Sequence, residues 1–305
     1  MKFAITASNQ IAMMLVIMLI AVVLYRIKLI DAHANKVLSN LLLMVINPII
    51  LFNSFQADFQ IKLVWGLFYS AILAVIGMSI SILIAYLIIP KREDERYIIE
   101  RFCSIYSNCG FFGIPLVYSL FGNEGVFYLT AYMSVFNILI WTHGVMMMKK
   151  ENNVKELFKA FRSPSIIAVF IGLICFFGRI RLPEIIMSPL VSLGNMNTPL
   201  AMLIAGVSLS QTNILAALKN IRLYVVCLLK LIIIPVASIL VFKLFHLSDI
   251  IIITSVLEAA CPAATTGVMF AIRFDKDYKY ASELFAITTV LSLVTIPIVV
   301  FLASL

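Results

Sequence analysis

Two stretches of the chain combine polar side chains with helix-breaking residues inside otherwise apolar segments. Residues 104–118 read SIYSNCGFFGIPLVY, and residues 258–269 read EAACPAATTGVM. Glycine weakens helix propagation by about 1 kcal/mol and proline by about 3 kcal/mol, so we expect neither segment to form a continuous helix. Interrupted backbone at membrane depth is tolerated only where protein buries it or water reaches it. Two interruptions at corresponding positions in the two halves of a chain indicate the binding site of a transporter.

The prolines of these stretches predict what the interrupted backbone offers to a ligand. Proline is favoured at the first position of a helix, because its missing N–H would be unpaired there anyway. We therefore expect Pro115 and Pro262 each to begin a half-helix near the middle of the bilayer. A helix start carries free N–H groups and a partial positive charge of about half a unit. Two such starts that meet would form an anion site without an arginine.

The side chains around these half-helix starts are the predicted substrate-binding residues. Asn108 can donate and accept hydrogen bonds, and the threonine hydroxyls add donors and acceptors from the second stretch. The full set is Asn108, Cys109, Gly110, Pro115, Cys261, Pro262, Thr265 and Thr266. Asn47, beside Pro48, lies in a lesser interruption that predicts either substrate lining or a kinked scaffold helix. The alternative for the main stretches is a pair of packing kinks whose carbonyls bond to neighbouring groups.

Two ionisable side chains lie deep within apolar segments. Glu258 precedes Pro262 by one turn, and Lys230 lies in LLKLIIIP. An unpaired charge at the bilayer centre costs about 3 kcal/mol or more, so each side chain is expected to face protein or water. Glu258 is predicted to bind a proton or cation that moves with the substrate, and Lys230 to pair with Glu258 or attract an anion. The alternative is a purely structural ion pair.

Composition predicts the class of protein. Of the 305 residues, 63% are hydrophobic and 12% are charged, whereas a soluble domain averages about 25% charged residues. A membrane-spanning helix needs about 20 apolar residues, and the apolar runs here are long instead of alternating as in a barrel. The sequence therefore predicts an all-α integral membrane protein with ten transmembrane helices. The predicted spans are 6–25, 35–55, 63–89, 97–121, 124–148, 164–179, 185–210, 221–245, 249–272 and 280–304.

Lysine and arginine fall mainly in alternate loops. The loops after the odd-numbered predicted spans hold 17 of the 23 lysines and arginines, the opposite side holds 5, and Lys230 lies within a span. Because cytoplasmic loops are enriched in these residues, the odd loops are predicted to be cytoplasmic, with both termini outside the cell membrane. The net charge of +8 then follows from topology, and no nucleic-acid partner is expected.

Enzymatic and metal-binding motifs are missing from the sequence. The five cysteines are scattered through apolar segments, so neither a disulfide framework nor a metal site is expected. No Walker A loop, H-E-x-x-H or G-x-S-x-G occurs, and no cofactor is expected beyond a coupling proton or sodium ion. A membrane-embedded enzyme that uses Cys109 or Cys261 with His143 is a competing hypothesis. Neither cysteine has an adjacent polar base, so the chain is predicted not to be an enzyme.

The two halves of the chain share proline positions. Pro48 and Pro199 are 151 residues apart, and Pro115 and Pro262 are 147 residues apart. Five spans is an odd number, so homologous halves would enter the membrane from opposite sides as inverted repeats. The predicted units are a first five-helix repeat at 1–148, a cytoplasmic amphipathic connector at 149–163 and a second repeat at 164–305.

Several segments together resemble the auxin efflux carrier family. SNCGFFGIPL followed by FGNEGVFYLTAYMSVFNILIW is similar to the fourth and fifth helices of that family. EAACPAATTGVMFAIRFDKDYKYASELFAITTVLSLVTIPIVV resembles its last two helices, and INPIILF and TPLAMLIAGVSL agree with it in spans two and seven. Cys109 stands where a threonine is expected after Asn108.

The resemblance implies two inverted five-helix repeats with broken crossover helices four and nine. It also implies a scaffold of spans 1, 2, 6 and 7 and a mobile transport unit of spans 3–5 and 8–10. Members of the family carry small organic anions, such as auxin, malate or malonate, and a homodimer with elevator-type alternating access is expected. Two alternatives remain open: a sodium-coupled symporter of amphipathic anions, similar to bile-acid carriers, and a receptor that binds without transporting. Likeness of fold does not fix a substrate.

Overall fold

The computed structural model describes residues 2–149, 163–212 and 220–305, and these residues are almost entirely helical. Within these ranges there is no β-strand, and the one β-type pairing is an isolated antiparallel bridge. The helices are α1 (Lys2–Arg26), α2 (Ala32–Leu41), α3 (Asn47–Ser54), α4 (Ile61–Ile88), α5 (Arg96–Ile105), α6 (Ile114–Leu139), α7 (Val145–Lys149), α8 (Pro164–Phe177), α9 (Glu184–Gly194), α10 (Asn197–Ser210), α11 (Ile221–Leu228), α12 (Ile234–Phe242), α13 (Asp249–Ala260), α14 (Thr265–Arg273) and α15 (Tyr278–Ala303).

Widened π-helical turns lie just before three prolines. Leu42–Ile46 precedes Pro48, Cys109–Gly113 precedes Pro115, and Leu229–Ile233 precedes Pro235. A proline within a helix removes one backbone hydrogen bond, and its ring clashes with the carbonyl four residues earlier. A π-turn accommodates the ring by widening the backbone at that place, and such turns are frequent at functional sites. A fourth π-turn, Ile140–Gly144, joins α6 to α7.

Seven helical stretches among the described residues are long and apolar enough to cross a membrane. They are Phe3–Arg26, Ala32–Ser54, Ile61–Ile88, Cys109–Lys149, Glu184–Ser210, Ile221–Phe245 and Tyr278–Ala303, with Pro164–Phe177 as a shorter apolar helix. Three of the ten predicted spans are interrupted within their length: 97–121 and 249–272 by extended backbone, and 185–210 by a turn at residues 195–196. The amphipathic connector predicted at 149–163 falls mostly on residues 150–162, which lie outside the described ranges.

The 41-residue stretch Cys109–Lys149 folds back on itself at Gly122. Gly122 has φ +59° and ψ −146°, a left-handed backbone conformation that a residue with a Cβ rarely adopts. A Cβ added to Gly125 would lie 2.8 Å from Cγ1 of Val117, eight residues earlier. Eight residues of straight helix would separate these positions by about 12 Å. The chain therefore reverses here, close to the boundary predicted between residues 121 and 124.

Helices pack closely where small residues lie at their contacts. α1 packs along α10, where a Cβ on Gly206 would lie 2.7 Å from Cβ of Ala21. α3 packs against α8, and Gly172 lies against the ring of Phe55. Small residues allow the backbones of membrane helices to approach closely. α15 in turn packs against α13 and α14.

Ion pairs show which loops share a face of the molecule. Arg96 pairs with Asp277 at 2.9 Å, and Arg222 and Lys276 pair with Asp94 and Glu95. These contacts bring together the loops that follow the third, seventh and ninth predicted spans. A second pair, Arg181 with Asp58, joins the loops that follow the second and sixth predicted spans.

Candidate functional site

The first interruption lies between α5 and α6. α5 ends at Ile105, Tyr106 is extended, and Asn108 caps the π-turn Cys109–Gly113 with φ −81° and ψ 59°. The Asn108 carbonyl accepts hydrogen bonds from the N–H groups of Phe112 at 3.0 Å and Gly113 at 3.3 Å. Helical geometry therefore resumes directly after Asn108, and Pro115 is already the second residue of α6.

The second interruption lies between α13 and α14. α13 ends at Ala260, Cys261 has an extended backbone with ψ 150°, and α14 begins at Thr265. The helix thus starts three residues after Pro262, not at Pro262 as the sequence predicts. Proline is tolerated in this extended segment because its missing N–H removes no helical hydrogen bond there.

The two interruptions meet, and backbone hydrogen bonds join them. The Asn108 N–H donates to the Pro262 carbonyl at 2.8 Å, and the Ala264 N–H donates to the Tyr106 carbonyl at 2.9 Å. Ser107 and Ala263 form the antiparallel bridge between them. We call residues 106–108 and 261–264 the crossing. Its pairing satisfies backbone groups that would otherwise be costly to bury within a membrane.

Glu258 lies against the first interrupted helix. Its side chain is fully buried, and no N–H or O–H group among the described residues donates to either carboxylate oxygen; the Cys109 thiol is the weak donor beside them. A Cβ added to Gly113 would overlap Oε1 of Glu258 and lie 2.9 Å from its Cδ. The glycine therefore makes room for the carboxyl group. Cys109 and Cys261 are the cysteines that interact electrostatically with this carboxyl group.

Lys230 reaches the crossing from the π-turn between α11 and α12. The side chain is completely buried, and its Nζ donates to the Ser107 hydroxyl and to the Ala259 carbonyl, the latter at 3.2 Å. No ion pair joins Lys230 to Glu258 in the described part of the chain, although the two interact electrostatically. The predicted direct pairing is therefore replaced by bonds to neutral groups of the crossing.

Asn47, at the start of α3, contacts Asn197, at the start of α10. Its Oδ1 accepts a hydrogen bond of 2.7 Å from Nδ2 of Asn197, and both side chains are buried. Nδ2 of Asn47 lies 3.0 Å from where a Cβ on Gly110 would stand. Asn47 thus links α10 to the π-turn that follows the crossing.

A cavity of about 480 Å³ opens beside the crossing. Phe111 lines it, and α2, α10, α14 and α15 form its walls. Its polar lining residues are Lys36, Ser39, Asn40, Ser208, Gln211, Thr212, Thr265, Tyr278 and Ser282. Of the predicted substrate-binding residues, Thr265 alone is among its lining residues. Asn108, Cys109 and Cys261 are buried and are not among its lining residues.

Besides Glu258, two polar side-chain groups of the interrupted segments have no partner among the described residues. They are the Nδ2 donor of Asn108 and the hydroxyl of Thr266, both buried. A buried polar group without a hydrogen bond costs about 1–3 kcal/mol, and such groups are candidates for ligand contacts. α14 also begins at Thr265 without a side-chain cap, so its first N–H groups are not satisfied by a side chain.

His143 lies between two tyrosines. Its Nδ1 is 2.9 Å from the Tyr106 hydroxyl and its Nε2 is 3.2 Å from the Tyr86 hydroxyl. Both ring nitrogens are thus engaged away from Cys109 and Cys261. The structure does not bring together the cysteine–histidine pair that the enzyme hypothesis needs.

The sequence does not predict that the cavity walls belong to the site. Lys36 is one of the 17 basic residues placed in alternate loops, and Ser39, Asn40 and Gln211 carry no sequence signal of their own. Lys36, Ser39 and Asn40 have i, i+3, i+4 spacing and therefore share one face of α2. This polar face is the pattern that could have indicated a wall exposed to water.

Comparison with known proteins identifies the family. No curated protein matches the chain. A family model described as membrane transport protein matches residues 6–157 and 153–300. These segments cover nearly the whole chain and include the crossing, Lys230 and the cavity walls. The chain therefore belongs to the membrane transport protein family of auxin efflux carrier type, and it is a multi-pass membrane protein.

Proposed function

We propose that this protein is a secondary carrier of small organic anions, mono- or dicarboxylates, that works by alternating access. The observation that carries the proposal is the crossing of two interrupted helices beside a polar cavity. Interrupted membrane helices form substrate and ion sites in secondary transporters. The family supports transport in general, and the chemistry of the site supports the choice of substrate.

The cavity offers an anion complementary groups of two kinds. The start of α14 at Thr265 presents backbone N–H groups and a partial positive charge of about half a unit. Lys36, on the opposite wall, supplies a full positive charge. Among the described residues, no carboxylate lines this cavity. A carboxylate held between these groups could also accept a hydrogen bond from the unpaired Nδ2 of Asn108.

The architecture we propose has ten spans in two inverted five-helix repeats. In support of this, Asn47 and Asn197, which lie just before Pro48 and Pro199, are joined by a hydrogen bond. α1 with α10 and α3 with α8 would form the scaffold, and the helices around the crossing would form the moving unit. An elevator-type movement and a homodimer belong to the same proposal.

The membrane orientation we propose follows from charge. Three of the loops rich in lysine and arginine are held together by ion pairs on one face. With that face in the cytoplasm of a cell-membrane protein, both termini lie outside, and the cavity that contains Lys36 opens inward.

The substrate class is tested by ligand-induced stabilisation. Purified protein is heated with malonate, malate or indole acetate, and with the corresponding neutral amides. A carboxylate at 100 times its Kd should stabilise the protein by about 2.7 kcal/mol, whereas its amide should have no effect. The best ligand is then tested for flux in proteoliposomes. Equal stabilisation by amide and carboxylate would contradict an anion site, and binding without flux would favour the receptor alternative.

Glu258 is the residue we propose for coupling transport to a cation. A buried carboxylate that no N–H or O–H group bonds to is costly in its charged form, so a proton or a sodium ion bound there is favoured. Glu258→Gln is expected to flatten the dependence of flux on pH if the cation is a proton, or on sodium if it is sodium. Glu124→Gln changes a half-buried carboxyl group that bonds to Tyr128, and it serves as the control. Unchanged pH and sodium profiles in Glu258→Gln would remove Glu258 from coupling.

A further inference from the structure

An amphipathic groove of about 490 Å³ lies between α1, α10 and α15, and it shares Thr212 with the cavity beside the crossing. Its apolar walls include Leu15, Leu19, Val290 and Leu293, and Arg26 lines it as well. Leu15 and Arg26 are eleven residues apart on one helix, so the groove extends along α1 for about 16 Å. The groove is therefore about as long as one acyl chain of a lipid, and it has a polar group at one end, where the headgroup would lie.

The groove is open at its side to the surroundings of the helices. Leu19 is 55% exposed and Val290 is 42% exposed, and both belong to helices long and apolar enough to cross a membrane. The medium outside this opening is therefore lipid, so an occupant can enter sideways from the bilayer without passing through water. Such an opening excludes a hydrophilic solute as the normal occupant.

The polar end of the groove selects a charge. Arg26 is the last residue of α1, is exposed, and forms no ion pair with any residue in the described ranges. Ser210 and Thr212, near the end of α10, also line the groove, but their hydroxyls donate to carbonyls of their own helix at 3.2 Å. Thr289, on α15, adds a buried hydroxyl without a partner among the described residues. The Arg26 guanidinium is the only charged group among the described lining residues, and its fork of donors suits a phosphate.

We propose that this groove binds one anionic phospholipid of the bilayer, with its phosphate at Arg26 and one acyl chain between α1 and α15. The bound lipid would wedge between these two helices and favour the arrangement that they have in this structure. The proposal does not depend on which substrate the crossing carries. It assigns to Arg26 a role separate from the general excess of positive charge on that face.

The test measures lipid binding to the purified full-length protein by native mass spectrometry. Phosphatidylglycerol and phosphatidylcholine with identical acyl chains are compared. We expect about a fivefold preference for phosphatidylglycerol at the first binding event, since one basic residue near the membrane surface contributes about that factor. Arg26→Gln should abolish the preference. Lys28→Gln, which removes a neighbouring exposed charge outside the groove, should retain it.

Four outcomes would overturn the proposal. Equal binding of the two phospholipids would show that the groove does not recognise charge. Equal losses in Arg26→Gln and Lys28→Gln would assign the preference to the surface as a whole. Displacement of the lipid by an equimolar fatty acid anion would make the site one for any amphipathic anion. Leu19→Trp, which fills the groove from its exposed side, should reduce the first binding event for both phospholipids, and unreduced binding would also contradict the assignment.

Discussion

Replacing Gly113 by alanine is expected to destabilise the protein by about 1–3 kcal/mol, the usual cost of overpacking a close contact, and to stop transport. The added Cβ would overlap Oε1 of Glu258 and lie 2.9 Å from its Cδ. Either the carboxyl group or the π-turn Cys109–Gly113 must then move, and both belong to the proposed site. Thermal unfolding and proteoliposome flux measure the two effects.

A double-mutant cycle identifies the cause of this destabilisation. Shortening Glu258 to alanine removes the atoms with which the new Cβ collides, so Gly113→Ala should cost much less in a Glu258→Ala background. Contacting residues couple by about 0.5–3 kcal/mol in such cycles. Gly194→Ala serves as the matched control. A Cβ added to Gly194 would lie 3.3 Å from its nearest neighbour, Nδ2 of Asn53, and would therefore overlap no atom. Additive effects of Gly113→Ala and Glu258→Ala would mean that the two residues do not touch.

Replacing Asn108 by alanine is expected to remove about half or more of the stabilisation by a carboxylate at 100 times its wild-type Kd, while leaving the fold intact. The side-chain amide is buried, and its Nδ2 has no partner among the described residues. Its removal therefore breaks no bond within the protein, whereas a bound carboxylate would lose a charge-assisted hydrogen bond. Such a bond is worth about 1.5–3 kcal/mol, which corresponds to about 10- to 100-fold weaker binding.

The Asn108 prediction is checked by thermal shift with and without the best carboxylate. Asn137→Ala removes a similar amide that only bonds to Met133 of its own helix, at 2.8 Å, and should bind the ligand as the wild-type protein does. Full ligand-induced stabilisation of Asn108→Ala would exclude Asn108 from the site. A lower unfolding temperature without ligand would instead show a structural role for its amide.

The sequence also indicates where the helices break, because the causes are local. Gly110, Gly113 and Pro115 disfavour continuous helix in one segment, and Pro262 disfavours it in another. The exact start of each half-helix depends on more than propensity. The second one begins at Thr265 because Ala264 is held by the carbonyl of Tyr106, a residue more than 150 positions away in the chain.

By itself, the sequence determined a helical membrane protein of a transport family, with two interrupted helices and two deep charges. Composition, apolar run length and the backbone preferences of glycine and proline act within one segment, so they can be read without a fold. Only the tertiary structure decided that the interruptions pair with each other, that Lys230 bonds to Ser107, and that Lys36 lines the cavity beside Thr265. These contacts depend on how distant helices pack against one another, and helix packing is set by the shapes of whole faces, which no local pattern of residues specifies.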